Sequence, residues 1–286
     1  MRMLLNLLLL QAVAYLALVL LVYFAQPHLV YFPDKQLSST PKTIGLDYTT
    51  VSIATSDGET LHGWQVTAAD AKGTVLFLHG NAGNISHRIY YLTMFKRLGY
   101  NTLLFDYRGY GQSSGTPSES GTYLDAQAAW RYLTATQGIA PGQIVLFGES
   151  LGGAVAAWLA AREKPGLLVL ASTFTSVPDL AAEFYPFLPV RWISRFDYNT
   201  LQSLQAVSCP VFIAHSPHDE IIPFEHGQRL FQAVSGAKQF LPLDGGHNTG
   251  FIFMQPAWKK SLGAFMDDSL NTLAQIPAAS NQPRQP

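Results

Sequence analysis

The chain opens on an unbroken apolar run: Leu4 to Phe24 carries no charge, and only Asn6, Gln11 and a few small residues interrupt it. As a helix rising about 1.5 Å per residue, roughly 20 such residues cross the about 30 Å of a hydrocarbon core. The pattern then changes. Val51–Thr55 and Leu61–Val66 flank the turn-forming Ser56-Asp57-Gly58, which predicts an antiparallel hairpin. From Thr74 onward, short continuous apolar runs take turns with longer amphipathic stretches. Thr74–Leu78, Thr102–Phe105, Gln143–Phe147, Leu167–Ala171, Pro210–Ala214 and Gln239–Leu243 read as strands buried on both faces. Helical periodicity falls on 88–98, 123–136 and 151–162, and a helix is expected after each of the last two strands. Such alternation predicts an α/β fold with a mostly parallel sheet covered by helices on both faces, in which ligands sit beyond the carboxyl ends of the strands.

One segment breaks the rhythm. Residues 176–208 hold Phe184-Tyr-Pro-Phe-Leu-Pro-Val190 with Trp192 and Ile193, and are longer than most connections. A short helical lid over the site is expected there. The chain thus divides into a transmembrane anchor (1–26), a main domain (27–272, lid 176–208) and a flexible tail (273–286) rich in Pro, Gln, Ala and Ser. A cleaved signal peptide is the competing reading of the start. Cutting after Ala12-Val13-Ala14 would strand Tyr15 to Phe24 as an exposed apolar end, and Tyr23 is too large for the −3 position of a cut after Ala25. An uncleaved single-pass membrane anchor fits better. Arg2 precedes the run and Lys35 and Lys42 lie farther beyond it, which favours a cytoplasmic N-terminus and an exported main domain.

Composition narrows the chemistry. Hydrophobic residues make up 48% and charged residues 13% of the 286 positions, and the net charge is -1 with no long basic run. That supports a large core and argues against a nucleic-acid partner. Cys209 is the only cysteine, so the chain can form neither an internal disulfide nor a Cys-rich metal site. No His-rich or carboxylate cluster has ligand spacing, so no metal is expected.

The chemistry-bearing positions fall at predicted strand ends. Gly148-Glu-Ser-Leu-Gly152 matches G-x-S-x-G between a strand and an Ala-rich helix, a context that makes Ser150 the candidate nucleophile. A hydroxyl needs a base to take its proton. Of the histidines that follow Ser150, His247 lies in a glycine-rich loop after the last strand and is the expected base. His215 ends a strand and reads as structural; His226 falls on a helix and reads as a surface residue. The acid that orients the base is expected at Asp219, just after 210–214, with Glu220 as its neighbour and alternative. Backbone N–H groups of Leu151 and Asn81 are the expected oxyanion donors, the latter in His79-Gly-Asn-Ala-Gly-Asn84. His79 is expected to hold that loop, and Asp106 and Arg108 to brace loops beside it.

With these motifs in hand, the chain resembles the bud-emergence-type branch of the α/β-hydrolases, membrane-anchored serine hydrolases of aminopeptidase-like or lysophospholipase-like description. The likeness rests on Asp57-Gly58 with Leu61-His-Gly-Trp64, His79–Asn84, Asp106-Tyr-Arg-Gly-Tyr-Gly111, Gly148–Gly153, Phe174-Thr-Ser176, His218-Asp-Glu-Ile-Ile-Pro223 and Gly245-Gly-His-Asn248. It implies hydrolysis of carboxylic esters or thioesters through an acyl-enzyme on Ser150, without a cofactor, on a small-molecule or lipid-like acyl substrate near a membrane. A peptidase or aminopeptidase of the same fold is the alternative. It needs a carboxylate near the cleft to hold a free amine, for which Glu183 is the candidate. A non-catalytic scaffold of this fold is the remaining reading.

Overall fold

A computed structural model describes residues 1–274. The chain starts with α1 (Arg2–Val30), whose apolar window has none of its residues buried in the protein, and passes into a two-residue strand β1 (Phe32–Pro33). The helix continues past Gln26, the expected end of the anchor. The hairpin β2 (Thr49–Ala54) and β3 (Thr60–Val66) follows, then β4 (Thr74–Leu78), a short β5 (Ala82–Gly83) and α2 (Ile89–Leu98). Next come β6 (Asn101–Phe105), α3 (Glu119–Arg131), β7 (Ile144–Glu149), α4 (Leu151–Ala160) and β8 (Leu167–Ala171). Three short helices, α5 (Val177–Phe184), α6 (Val190–Ile193) and α7 (Thr200–Leu204), occupy the expected insertion. The chain closes with β9 (Val211–His215), α8 (Phe224–Ala233), β10 (Lys238–Pro242) and α9 (Pro256–Ala274). Of the expected tail 273–286, only Leu273 and Ala274, at the end of α9, fall within the described residues.

Eight strands form one sheet in the order β10-β9-β8-β7-β4-β6-β3-β2. β3 runs antiparallel to β2 and β6; all other pairings are parallel. Alternation along each strand feeds two cores. In β4, Leu76 and Leu78 face the layer of α3 and α4, whereas Val75 and Phe77 face that of α2 and α9. Strand order reverses at β4, which has β6 on one side and β7 on the other. The carboxyl ends of β4 and β7, in register as Leu78 opposite Gly148, therefore bound the crevice of the switch point.

Helix α3 begins one turn before the expected 123, because Ser118 caps it by accepting from the Gly121 N–H, and it loosens into a π-turn over Tyr132–Thr136. The loop after β6 is braced by Arg108. Its guanidinium lies 2.8 Å from the buried Asp125 and 2.7 Å from Asp57 in the β2–β3 turn, and its N–H also donates to Asp125. Burial pushes the Asp125 carboxyl up to about 6 despite that partner.

Replacing Arg108 with Met leaves Asp125 buried without its cation, and breaking a buried pair from one side costs about 3–5 kcal/mol. Urea unfolding of Arg108→Met should show a loss of that order. A change within experimental error would mean that the pair does not brace this edge.

Candidate active site

The strand-to-helix turn after β7 is held by contact at the backbone. Ser150 sits at φ 53° and ψ −120°, a left-handed conformation that L-residues avoid. A Cβ on Gly152 would collide with the Leu78 and His79 carbonyl oxygens at the end of β4, so only glycine lets α4 start there. At Gly148 the clash would be with the Gly152–Gly153 backbone of α4. Thr173 adds a further tether, donating to the Ser150 carbonyl at 2.7 Å.

His247, in the loop between β10 and α9, bridges two of the expected residues. Its Nε2 lies 3.2 Å from Ser150 Oγ and its Nδ1 lies 2.8 Å from Asp219 Oδ2. With the ring neutral, Nδ1–H donates to the carboxylate and Nε2 is left to accept from the hydroxyl. The other oxygen of Asp219 accepts from the Ile221 and Ile222 N–H groups at 3.0 and 2.7 Å. Burial alone would push Asp219 up, but the His247 hydrogen bond and charge, together with those two N–H donors, outweigh it and hold the carboxyl below its usual range. Glu220, the alternative acid, accepts instead from the His247 backbone N–H at 2.9 Å, so it steadies the loop and not the ring.

The expected oxyanion donors flank the same point. Leu151 is the first residue of α4, and Asn81 follows β4; neither N–H donates within the chain among the described residues. A Cβ added at the adjoining Gly80 would come within 3.4 Å of the Ser150 side chain. His79 is fully buried, donates from Nδ1 to the Gly80 carbonyl at 2.7 Å, and is pushed down to about 3 by burial and the nearby Arg88 charge. Its Nε2 lies 3.5 Å from Asp106, which burial raises to about 8 although it accepts from the Ile85 N–H.

The other histidines fall elsewhere. His215 is buried and donates from Nε2 to the Ile222 carbonyl at 2.8 Å. His226, expected at the surface, is buried because the inner face of α8 packs under the insertion, where its Nδ1 accepts from the Thr175 N–H at 3.1 Å. Its Nε2 lies 3.2 Å from Glu183, so that carboxylate faces a histidine and does not line the cleft. Cys209 is buried, with its thiol pushed up to about 12 by desolvation.

A cavity of about 790 Å³ opens over Ser150 and His247. Phe184, Tyr185, Leu188 and Ile193 of the insertion line it, whereas Phe187 and Trp192 do not; Trp192 is 90% exposed. Two contributions were not read from the sequence. Val22, Gln26 and Leu29 of α1 form part of the wall, which the even apolarity of that run conceals. Arg88 and Glu149, paired at 2.9 Å, also line the cavity, although Glu149 lies inside the motif itself.

A serine at a strained strand-to-helix turn, followed in the chain by an acid after β9 and a histidine after β10, all at one sheet edge, defines the α/β-hydrolase class. The chain matches the alpha/beta hydrolase fold family over residues 73–209. It is 36% identical over 233 residues to an uncharacterized protein of Mycobacterium tuberculosis (80% of this chain, 83% of the relative). It is 32% identical over 237 residues to Protein bem46 of Schizosaccharomyces pombe (76% and 78%), and 33% identical over 222 residues to Lysophosphatidylserine lipase ABHD12 of Danio rerio (67% and 57%). In structure it is similar to the Pyrococcus furiosus esterase Pf2001, with a TM-score of 0.68 at 23% identity over 84% of this chain and 98% of that one. The chain belongs to the alpha/beta hydrolases, in the branch of bem46, and is a hydrolase of that fold.

The raised Asp106 carboxyl sets a pH dependence of stability. Folded Asp106 keeps its proton up to about pH 8, whereas in the unfolded chain it is lost near 3.8. Between those values the native state binds more protons at Asp106, so this residue's contribution to stability falls as pH rises; the depressed His79 works in the opposite direction below about 6.5 and is common to the wild type and the Asn variant. Asn at this position still accepts from Ile85 and does not titrate. The Tm of the wild type relative to Asp106→Asn should therefore drop from about pH 5 to about pH 9; a difference independent of pH would rule out the raised carboxyl.

Proposed function

We propose that the protein is a serine hydrolase that cleaves carboxylic esters or thioesters of apolar acyl chains through an acyl-enzyme on Ser150. The observation that carries this reading is the continuous relay Ser150–His247–Asp219, opening onto a cavity walled mainly by apolar side chains. His247 takes the Ser150 proton as Oγ attacks the acyl carbon, and Asp219 stabilises the imidazolium that forms. The N–H groups of Leu151 and Asn81 receive the oxyanion at the helix N-terminus. The proton then passes from His247 to the leaving oxygen or sulfur, and water attacks the acyl-enzyme by the same route in reverse.

The name of the Danio rerio relative, a lysophosphatidylserine lipase, agrees with a lipid-like acyl substrate. The insertion acts as a lid, and α1 as a single-pass anchor that keeps the cavity near lipid, with the catalytic domain on the exported side. Glu183, the carboxylate on which the aminopeptidase alternative relied, is turned toward His226, and the carboxylates that do line the cavity, Glu149 and Glu220, are engaged by Arg88 and by the His247 N–H.

Two outcomes test the reading. Ser150→Ala should lower ester turnover on the order of 10⁴-fold, with large losses also in His247→Ala and Asp219→Asn. Members of such a relay act as a unit, so adding His247→Ala to Ser150→Ala should cost little more. Near-normal turnover in folded His247→Ala sinks the mechanism, as does failure of the wild type to react with a fluorophosphonate.

The second outcome concerns chain length. Each methylene buried in the cavity contributes about 0.8 kcal/mol, or about fourfold, so kcat/KM should climb from acetyl to medium-chain esters and then level off. Phe184→Ala and Leu188→Ala remove cavity wall and should flatten the climb. A flat wild-type profile, measured on monomeric substrates, rejects an acyl pocket.

A further inference from the structure

Helix α1 does more than lead into the domain. Tyr15 Oη donates to the Phe187 carbonyl at 2.9 Å, Arg195 lies over the Tyr23 ring at 5.5 Å, and Gln26 both donates to the Ile193 carbonyl and accepts from the Arg195 N–H. The insertion therefore runs beside the second half of α1 from Tyr15 to Gln26, a length of about 16 Å. What remains clear of it, from Arg2 to Ala14, is about 20 Å long, which is too short to cross a hydrocarbon core.

Charge and aromatic positions set the depth. Arg2 at one end and the Arg195–Tyr23 contact at the other bracket about 32 Å of helix, the thickness of the apolar layer, with a cation and an aromatic at the level where both favour the interface. Tyr15 lies about 12 Å deeper than Tyr23, and with it the Phe187 backbone. The tip of the insertion is built for that depth. From Phe184 to Trp192 only Arg191 is charged, and its guanidinium is paired at 2.8 Å with Asp179 of α5. Phe184, Tyr185, Phe187 and Trp192 are 49%, 47%, 61% and 90% exposed. Several large apolar side chains left open together on one short segment mark a contact surface.

We propose that this tip and α1 from Tyr15 to Tyr23 are immersed together in one leaflet of a lipid bilayer, and that the cavity opens sideways between them into hydrocarbon. Val22, just inside the level of Tyr23, forms one jamb of that opening, with Phe184, Tyr185 and Leu188 as the other. The substrate class follows: a bilayer-resident acyl amphiphile, whose chain slides from the leaflet to Ser150 without crossing water. This substrate assignment rests on the acyl-hydrolase reading above, whereas the immersion itself does not.

Depth can be measured on the full chain in phosphatidylcholine vesicles. Cys209 is buried with a raised thiol pKa, so an introduced surface cysteine takes an environment-sensitive label selectively. Labels at Trp192→Cys and Phe187→Cys should be quenched by phosphatidylcholine spin-labelled on its acyl chain. A label at Lys164→Cys, just after α4 at the opposite edge of the sheet, should not. Quenching at 192 and 187 by aqueous iodide alone overturns the immersion.

Trp192 does not line the cavity, so Trp192→Asp should leave hydrolysis of a monomeric acetyl ester intact while lowering turnover of a long-chain ester dissolved in vesicles about tenfold or more. Equal rates, or an equal fall on both substrates, reject the lateral entry. Fluorophosphonate labelling of Ser150 in the same samples separates the two readings. Its absence from the wild type removes the hydrolase, while the quenching still decides whether the tip is immersed.

Discussion

The close approach of α4 to the end of β4 is the constraint on which the rest of the site depends. The first turn of the helix presses on the Leu78 and His79 carbonyls, and glycine at 152 is the only residue that fits. That contact forces the chain at Ser150 into its left-handed conformation and turns the hydroxyl out over the sheet edge. It also places Leu151 beside the loop after β4, so that Ser150, Leu151 and Asn81 line the same cavity. The strain is local, and it persists because the buried strands on either side leave the backbone no slack.

Around this point, polar groups buried at the carboxyl edge do the holding. Arg108 ties the β2–β3 turn to α3. Asp106 reaches across to the Ile85 N–H, and His79 closes on Gly80. Tyr110 donates to the Asn81 carbonyl at 2.7 Å, which fixes the peptide that follows it. Each of these groups would be costly to bury alone; Arg108, Asp106 and Tyr110 fasten one loop to another, and His79 stiffens its own. On this rim the histidine loop is held by Asp219 at the ring, by Glu220 at the His247 N–H and by Ser216, which donates to the Gly245 carbonyl.

Much of this was legible because it follows from local chemistry. Buried strands need continuous apolar runs, and a nucleophile turn needs glycines, so 74–78, 143–147 and 148–152 stood out without any knowledge of long-range contacts. The candidates Ser150, Asp219 and His247 were legible because the fold orders them along the chain. What stayed hidden depends on contacts distant in sequence. His226 lies on a helix whose polar sequence suggests exposure, yet the insertion covers it. Phe187 and Trp192 look like the aromatic lining of a cleft, and only the turn of the insertion shows that they point outward while Phe184 and Leu188 point in. The apolar run of α1 reads the same whether lipid or a cavity faces it. A hydrophobic pattern records burial from water, not the identity of the neighbour.

That ambiguity bears on how anchor and catalyst are joined. Between α1 and the first strand of the main sheet, Phe32–Pro33 pairs with Ala82–Gly83, and the Asn81 side chain donates to the Val30 carbonyl at 2.9 Å. The Phe32 N–H donates in turn to the Asn81 carbonyl. The residue proposed to receive the oxyanion is thus clamped on both sides by the segment that leaves the proposed anchor. A two-residue strand pair is weak by itself, but here Tyr110 and the Asn81 amide reinforce it. If α1 were only a tether, a loose linker would serve as well, and neither Asn81 nor the cavity wall would need its last turns. The contacts run the other way: Val22, Gln26 and Leu29 complete the cavity, and Val30 and Phe32 seat the loop beside Ser150. A boundary drawn after Gln26 therefore cuts through the site. The placement of α1 and the geometry at Ser150 are mechanically one problem.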